Sequence, residues 1–94
     1  MKASQISVLN VKEYLRVCGN DDDALITSIL SAAKAFAAGY TGLSMFELDR
    51  YEDMTIAIYV LCGEMYDNRI YTIESEKLNP IAKGILDMHS KNLL

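Results

Sequence analysis

The sequence predicts an all-α fold, a small bundle of about four helices in a single domain that covers residues 1–94. Three observations lead to this prediction. Apolar residues recur at spacings of three and four over long stretches, short polar residues stand where helices would begin, and the only proline, Pro80, stands at one of these starts. The segment 70–73 combines aromatic and β-branched residues, so a short extended stretch stays open there.

The first predicted helix covers about residues 8–17. Ser7 precedes it, and a serine hydroxyl in that place accepts a hydrogen bond from an amide of the first turn. Gly19 and Asn20 are expected to end the helix, because glycine readily takes the left-handed conformation that follows many helix ends.

The second predicted helix starts with Asn20 or Asp21 as its cap and runs to Tyr40. The run Asp21–Asp23 stands where the helix dipole favours negative charge. Apolar residues form two adjacent stripes, an arc broad enough to contact two neighbouring helices. One stripe is Ile26, Leu30, Ala33, Ala37 and Tyr40, and the other is Leu25, Ile29, Ala32 and Phe36. The opposite face carries mostly small residues, which would let another helix approach closely.

The third predicted helix follows a short connector, Gly42–Leu48, and extends from Asp49 as its cap to about Arg69. Residues 56–62 are apolar on every side, which predicts a central, buried helix. They also fit a buried strand, but about 20 residues without a helix breaker favour a helix. The fourth helix begins at Asn79-Pro80, with asparagine as cap and proline at the first helical position. The predicted core consists of Leu15, Leu25, Ile29, Leu30, Phe36, Ile58, Leu61 and Met65.

The charge of the chain argues against binding to nucleic acid. The chain has nine Lys and Arg against 13 Asp and Glu, a net charge of −4, and no basic cluster. Binding to a nucleic-acid backbone normally rests on several contacts from Lys and Arg to phosphates. The composition therefore predicts that DNA is not held specifically. The longest apolar run is also far too short to cross a bilayer, so no membrane is expected.

Side chains capable of catalysis or metal binding form no recognisable motif. The single histidine, His89, has no Ser, Cys or acidic residue that its spacing would place beside it, and it is expected to be a solvated surface residue. The run Asp21–Asp23 lacks the glycine and closing glutamate of a calcium loop. Cys18 and Cys62 are expected to be free and reduced, although a disulfide depends on geometry that sequence does not give. The prediction is a protein that is not an enzyme and that binds no cofactor or metal.

A candidate interface is suggested by tyrosines and by the end of the third helix. Tyrosine covers apolar surface and keeps a polar tip, which suits protein interfaces. Arginine can bind a carboxylate with two parallel hydrogen bonds. The candidate interface residues are Tyr40, Tyr66, Asp67, Asn68 and Arg69.

Several segments, in order, resemble the gp6-like head–tail connector (DNA-packaging adaptor) proteins of phages. Residues 11–17 (VKEYLRV) are followed by an acidic break at 20–23, an Ala-rich helix from residue 24, and Tyr40-Thr41-Gly42. The third helix ends in residues 64–69 (EMYDNR), and Asn79-Pro80 precedes a short helix with Ile85-Leu86. The resemblance covers nearly the whole chain.

The resemblance implies a structural adaptor of the phage neck. Such proteins form a homo-oligomeric ring of about twelve subunits under the portal protein, a heterologous assembly that closes on itself. The ring extends the DNA channel, lets DNA pass without specific binding, and offers a platform to a neck or tail completion protein. The implied location is the host cytoplasm during assembly and the virion neck afterwards. The alternative is a small helical DNA-binding or regulatory protein of bacterial or prophage origin, which the lack of a basic recognition helix opposes.

Overall fold

The computed structural model describes residues 1–68 and 78–90 and confirms an all-α fold, with no strand in these two ranges. A single 3₁₀ turn at Ala3–Gln5 precedes five α-helices. These are α1 (Val8–Leu15), α2 (Asp23–Thr41), α3 (Met45–Leu48), α4 (Asp53–Asn68) and α5 (Pro80–His89). The proposed extended stretch at 70–73 lies outside the described residues, as does the predicted end of the third helix at Arg69.

Two of the predicted helix starts are confirmed by their caps. Ser7 Oγ accepts a hydrogen bond of 3.2 Å from the amide of Asn10 at the start of α1. Asn79 Oδ1 accepts one of 2.8 Å from the amide of Ile81, and Pro80 occupies the first position of α5. In both helices, a local polar side chain satisfies an amide that the helix itself leaves unpaired.

The ends of α1 and α2 differ from the prediction. α1 stops at Leu15, two residues early, because Arg16 takes the left-handed conformation with φ of 60°, three residues before Gly19, whose φ is 84°. α2 begins at Asp23, and its N-cap Asp22 makes no side-chain capping bond. The carboxylate of Asp22 instead accepts a 2.6 Å hydrogen bond from the hydroxyl of Tyr66. The Asp22 carboxylate thus binds a side chain of another helix and not an amide in the first turn of α2.

The segment predicted as a simple connector contains the short helix α3. Ser44 caps it by accepting a hydrogen bond of 3.1 Å from the amide of Glu47. Asp49, predicted to cap the next helix, instead follows the end of α3 and binds Ser4, with 2.8 Å to the amide and 2.6 Å to the hydroxyl. These two bonds lower the pKa of Asp49 and attach the N-terminal turn to α3.

α2 and α4 form the central antiparallel pair, since the bond from Tyr66 to Asp22 joins the end of α4 to the start of α2. α1 packs against both helices on one side, and α5 packs against both on the other. α5 is antiparallel to α4, because Asn79 at its start bonds Glu64 (3.1 Å) and His89 at its end bonds Asp53 (2.9 Å). α4 therefore contacts three helices and keeps one face outward.

The core lies between these four longer helices. Five of the predicted core residues are buried, and Leu15, Leu25 and Phe36 are only half-buried. The five are Ile29, Leu30, Ile58, Leu61 and Met65. The prediction that 56–62 would be buried on every side is wrong, since Ile56 is 52% exposed. It lies on the outward face of α4, which neither α1, α2 nor α5 covers.

By length and composition, α2 is the one helix of the described residues that could cross a membrane. A buried helix of a bundle has the same properties. Six residues of α2 are buried, including Ile26, Ile29 and Leu30, and the helix packs against α1, α4 and α5. Its apolar arc thus covers the core, and contacts three longer helices where two were predicted.

Candidate functional site

The predicted interface residues do not form one patch. Tyr40 lies near the end of α2, where its hydroxyl donates a 2.5 Å hydrogen bond to Asp87 of α5. Tyr66, Asp67 and Asn68 end α4, and α2 and α4 are antiparallel, so these residues lie at the opposite end of the bundle from Tyr40. Arg69 lies outside the described residues. An interface role for all five residues stays a prediction.

Three of the predicted interface residues, Tyr40, Tyr66 and Asn68, make hydrogen bonds within the chain. The bond to Asp87 is the main reason why the pKa of Tyr40 is raised, while Lys83 and then Tyr40 lower the pKa of Asp87. The Asn68 side chain donates a 2.8 Å hydrogen bond to the carbonyl oxygen of Glu64, which caps its own helix. Asp67 is exposed and makes no hydrogen bond or ion pair with residues 1–68 or 78–90.

A groove runs along the outward face of the second half of α4. We define the α4 groove by its lining residues, which are Tyr14, Val60, Gly63, Glu64, Asp67, Asn68, Asn79 and Ile81. Tyr14 of α1 forms one wall, and Ile81 of α5, 61% exposed, forms the other. The floor is apolar at Val60 and acidic towards the end of α4.

Aromatic stacking holds the α1 wall in place. The rings of Tyr14 and Tyr59 lie nearly parallel, with centroids 5.0 Å apart. Stacked rings at this separation stabilise the arrangement beyond the area that they bury. The wall of the α4 groove is therefore preformed, although Tyr14 is half exposed.

A second exposed surface lies at the other end of α4. Phe46 of α3 is 75% exposed, the largest exposed fraction among the large apolar side chains of the described residues. Arg50 follows four positions later, in the turn after α3, and is also exposed. No ion pair joins Arg50 to an acidic side chain of residues 1–68 or 78–90. We call Phe46 and Arg50 the α3 knob.

The outward face of α2 is nearly free of large side chains. Its exposed positions are Ala24, Thr27, Ser28, Ser31, Ala35 and Gly39. Lys34 of the same helix turns aside and donates a 2.9 Å hydrogen bond to the carbonyl oxygen of Ile6. The prediction of a face that allows close approach agrees with this arrangement.

The structure contradicts the prediction that His89 is a solvated surface residue. Its Nε2 lies 2.9 and 3.0 Å from the two carboxylate oxygens of Asp53, and its ring stacks on Tyr51 with centroids 3.9 Å apart. The imidazole is only 15% exposed. Local spacing could not indicate this contact, because Asp53 lies 36 positions earlier in the chain.

The cysteines are unpaired, Cys18 exposed and Cys62 buried. Burial raises the pKa of the Cys62 thiol to about 12. In the described part of the chain, no group of three His, Cys, Asp or Glu side chains is arranged to hold a metal ion. The α4 groove and the α3 knob are thus two exposed features of the described surface that combine apolar and charged side chains.

A family model described as the phage gp6-like head–tail connector protein matches residues 5–89. This range includes all five α-helices. The chain belongs to the phage gp6-like head–tail connector family. No curated protein and no solved structure matches it. The chain is therefore a connector of the phage neck, where head and tail join, and its family is structural rather than enzymatic.

Family membership changes which surface residues matter. A connector acts through contacts with other subunits, so exposed apolar side chains become the informative ones. The sequence reasoning missed Phe46, Arg50, Tyr14 and Ile81 as surface features. Only α3 had a detectable sign in the sequence, because Ser44 followed by Glu47 three positions later is the pattern of a capping box.

Proposed function

We propose that this connector is a structural subunit of a ring of about twelve copies, closed by one repeated contact, under the portal of a filled head. The ring extends the DNA channel and gives a neck or tail completion protein its platform. The match of the connector family model to residues 5–89 is the observation that carries this proposal. The whole chain, residues 1–94, would act as one connector domain.

The surface of the molecule supports a ring. A ring needs two different complementary surfaces on each subunit, because a contact between identical surfaces closes as a dimer. The α4 groove and the α3 knob are two different exposed surfaces, and they lie at opposite ends of α4.

Charge supports a channel that DNA passes through without being held. The net charge is −4, and acidic side chains such as Glu13, Asp21 and Glu52 are exposed. An acidic surface repels the phosphate backbone, so DNA would slide past it. We propose further that the subunit is made in the host cytoplasm, has no catalytic activity, needs no cofactor, and contacts portal protein and the next neck protein only through its surface.

Deletion of the gene from its phage or prophage tests this function. We expect heads and tails to form separately and to remain unjoined in electron micrographs of the lysate, with some heads empty of DNA. Restoring the gene on a plasmid should restore joined particles, which controls for effects on neighbouring genes. Normal infectious tailed particles from the deletion would contradict the proposal.

A further inference from the structure

We infer that the α3 knob of one subunit docks in the α4 groove of the next copy of this chain, which is the repeated contact of the ring. The inference rests on the proposed function, since it names the two surfaces that the ring would use. The knob supplies an aromatic side chain, Phe46, and a cation, Arg50. The groove supplies three side chains with apolar surface, Tyr14, Val60 and Ile81, and two carboxylates, those of Glu64 and Asp67.

Both surfaces present exposed apolar side chains. Phe46 is a large ring that is 75% exposed. The groove presents the half-exposed Tyr14 and the 61% exposed Ile81 on its two sides. Aromatic anchors that fill such depressions are the usual centres of protein interfaces. Docking would remove exposed apolar surface from both partners.

The charges of the two surfaces also match. Arg50 lies four positions after Phe46, in the turn that follows α3, and both side chains are exposed. Asp67 lies on the rim of the groove, exposed and without an ion-pair partner in the parts of the chain that the structure describes. Glu64 is held nearby by its hydrogen bond from Asn79. An arginine can bind such a carboxylate with two parallel hydrogen bonds.

The geometry forces this contact to join two copies. Arg50 precedes the start of α4 at Asp53, and Asp67 lies near its end. At 1.5 Å per residue, the 14 positions from 53 to 67 span about 21 Å. Arg50 and Asp67 of one chain therefore cannot meet, and any coupling between them must act between subunits. Because knob and groove are different surfaces, each copy offers both, and the contact can continue around a ring.

A charge exchange tests the inference by plasmid complementation of the deletion phage. We expect Arg50→Glu and Asp67→Arg each to lower the yield of joined infectious particles by about tenfold or more, because each places like charges in contact. The double variant Arg50→Glu with Asp67→Arg restores opposite charges at every contact. It should return the yield close to that of the wild type, well above the yield of either single variant.

A second pair of variants tests the apolar anchor. Phe46→Ala should lower the yield of joined particles, whereas Leu9→Ala should not, although Leu9 is also 64% exposed and lies on neither surface. Thermal unfolding of each purified variant checks that it folds, which surface substitutions permit.

The outcomes separate this inference from the proposed function. If the deletion gives unjoined heads and tails but both single charge variants complement like the wild type, the knob and groove are not the contact and the inference is wrong. If the single variants fail and the double variant fails equally, Arg50 and Asp67 do not face each other and the inference is again wrong. Normal particles from the deletion itself would contradict the proposed function instead.

Discussion

At the scale of single residues, His89 fixes one end of α5 to the bundle. Its imidazole bonds Asp53 at the start of α4 and stacks on Tyr51. Asn79 fixes the other end of α5 through Glu64. α5 is thus attached to the bundle at both ends. These contacts stabilise it, because helices this short are marginal in isolation.

Replacement of His89 should reveal this attachment. We expect His89→Ala to lower the free energy of unfolding by about 1–2 kcal/mol, since it removes a partly buried polar contact and a ring stack. Met88→Ala is the matched control, because its side chain is 72% exposed on the same turn. Urea unfolding measures both variants. Equal, small losses for the two would mean that the contact with Asp53 adds no stability.

The two cysteines should differ sharply in reactivity. Cys62 is buried and its pKa is raised to about 12, so its thiol stays protonated at neutral pH. Cys18 is exposed. We expect iodoacetamide to modify only Cys18 in the folded protein, and both after unfolding in urea. Mass spectrometry of the native protein and of a Cys18→Ser variant measures this. Rapid native labelling of the variant would show that Cys62 is accessible.

At the scale of helices, α4 has an inner and an outer apolar face. Met54, Ile58, Leu61 and Met65 line the inner face and are buried. Ile56 and Val60 belong to the outer face, where Val60 lines the α4 groove and Ile56 is exposed. A helix with two apolar faces looks fully buried in sequence, but here one face packs inside the subunit and the other meets the surroundings.

Truncation on the two faces of α4 should therefore have unequal effects. We expect Leu61→Ala to cost about 2–5 kcal/mol, because it leaves a cavity in the core. Ile56→Ala, on the outer face of the same helix, should cost less than about 0.5 kcal/mol, the usual size for a surface change. Ile29→Ala in α2 should behave like Leu61→Ala. If Leu61→Ala and Ile56→Ala lower the free energy of unfolding by similar amounts, the assignment of Leu61 to the buried inner face is wrong.

The caps show which local patterns predict helix ends reliably. Ser7 and Asn79 cap as predicted because their hydroxyl or amide oxygen reaches an amide two or three residues away. Asp22, the N-cap of α2, and Asp49, predicted to cap the third helix, make no capping bond, and their carboxylates bind Tyr66 and Ser4 from distant parts of the chain. A local rule holds where no tertiary partner competes for the same side chain.

At the scale of the whole molecule, the acidic balance sets how the subunit meets DNA. With a net charge of −4 and no basic cluster, it lacks the cationic surface that non-specific DNA binding requires. We expect the purified protein to pass unretained through a heparin or DNA column at low salt, where electrostatic binding is strongest. A basic DNA-binding protein is the control that must be retained. If the column retains the connector and added salt elutes it, the result would favour the alternative of a regulatory DNA-binding protein.

The sequence by itself determined the all-α class, the positions of the four longer helices and part of the core. These follow from periodicity and from local caps, which act over a few residues. The order of the segments also indicated the connector family before any geometry was known. Only the tertiary structure decided which partner Asp22, Asp49 and His89 take, since these partners lie more than 30 positions away. It likewise decided which face of α4 is inward, because three packed helices cover one side and leave the other as a groove.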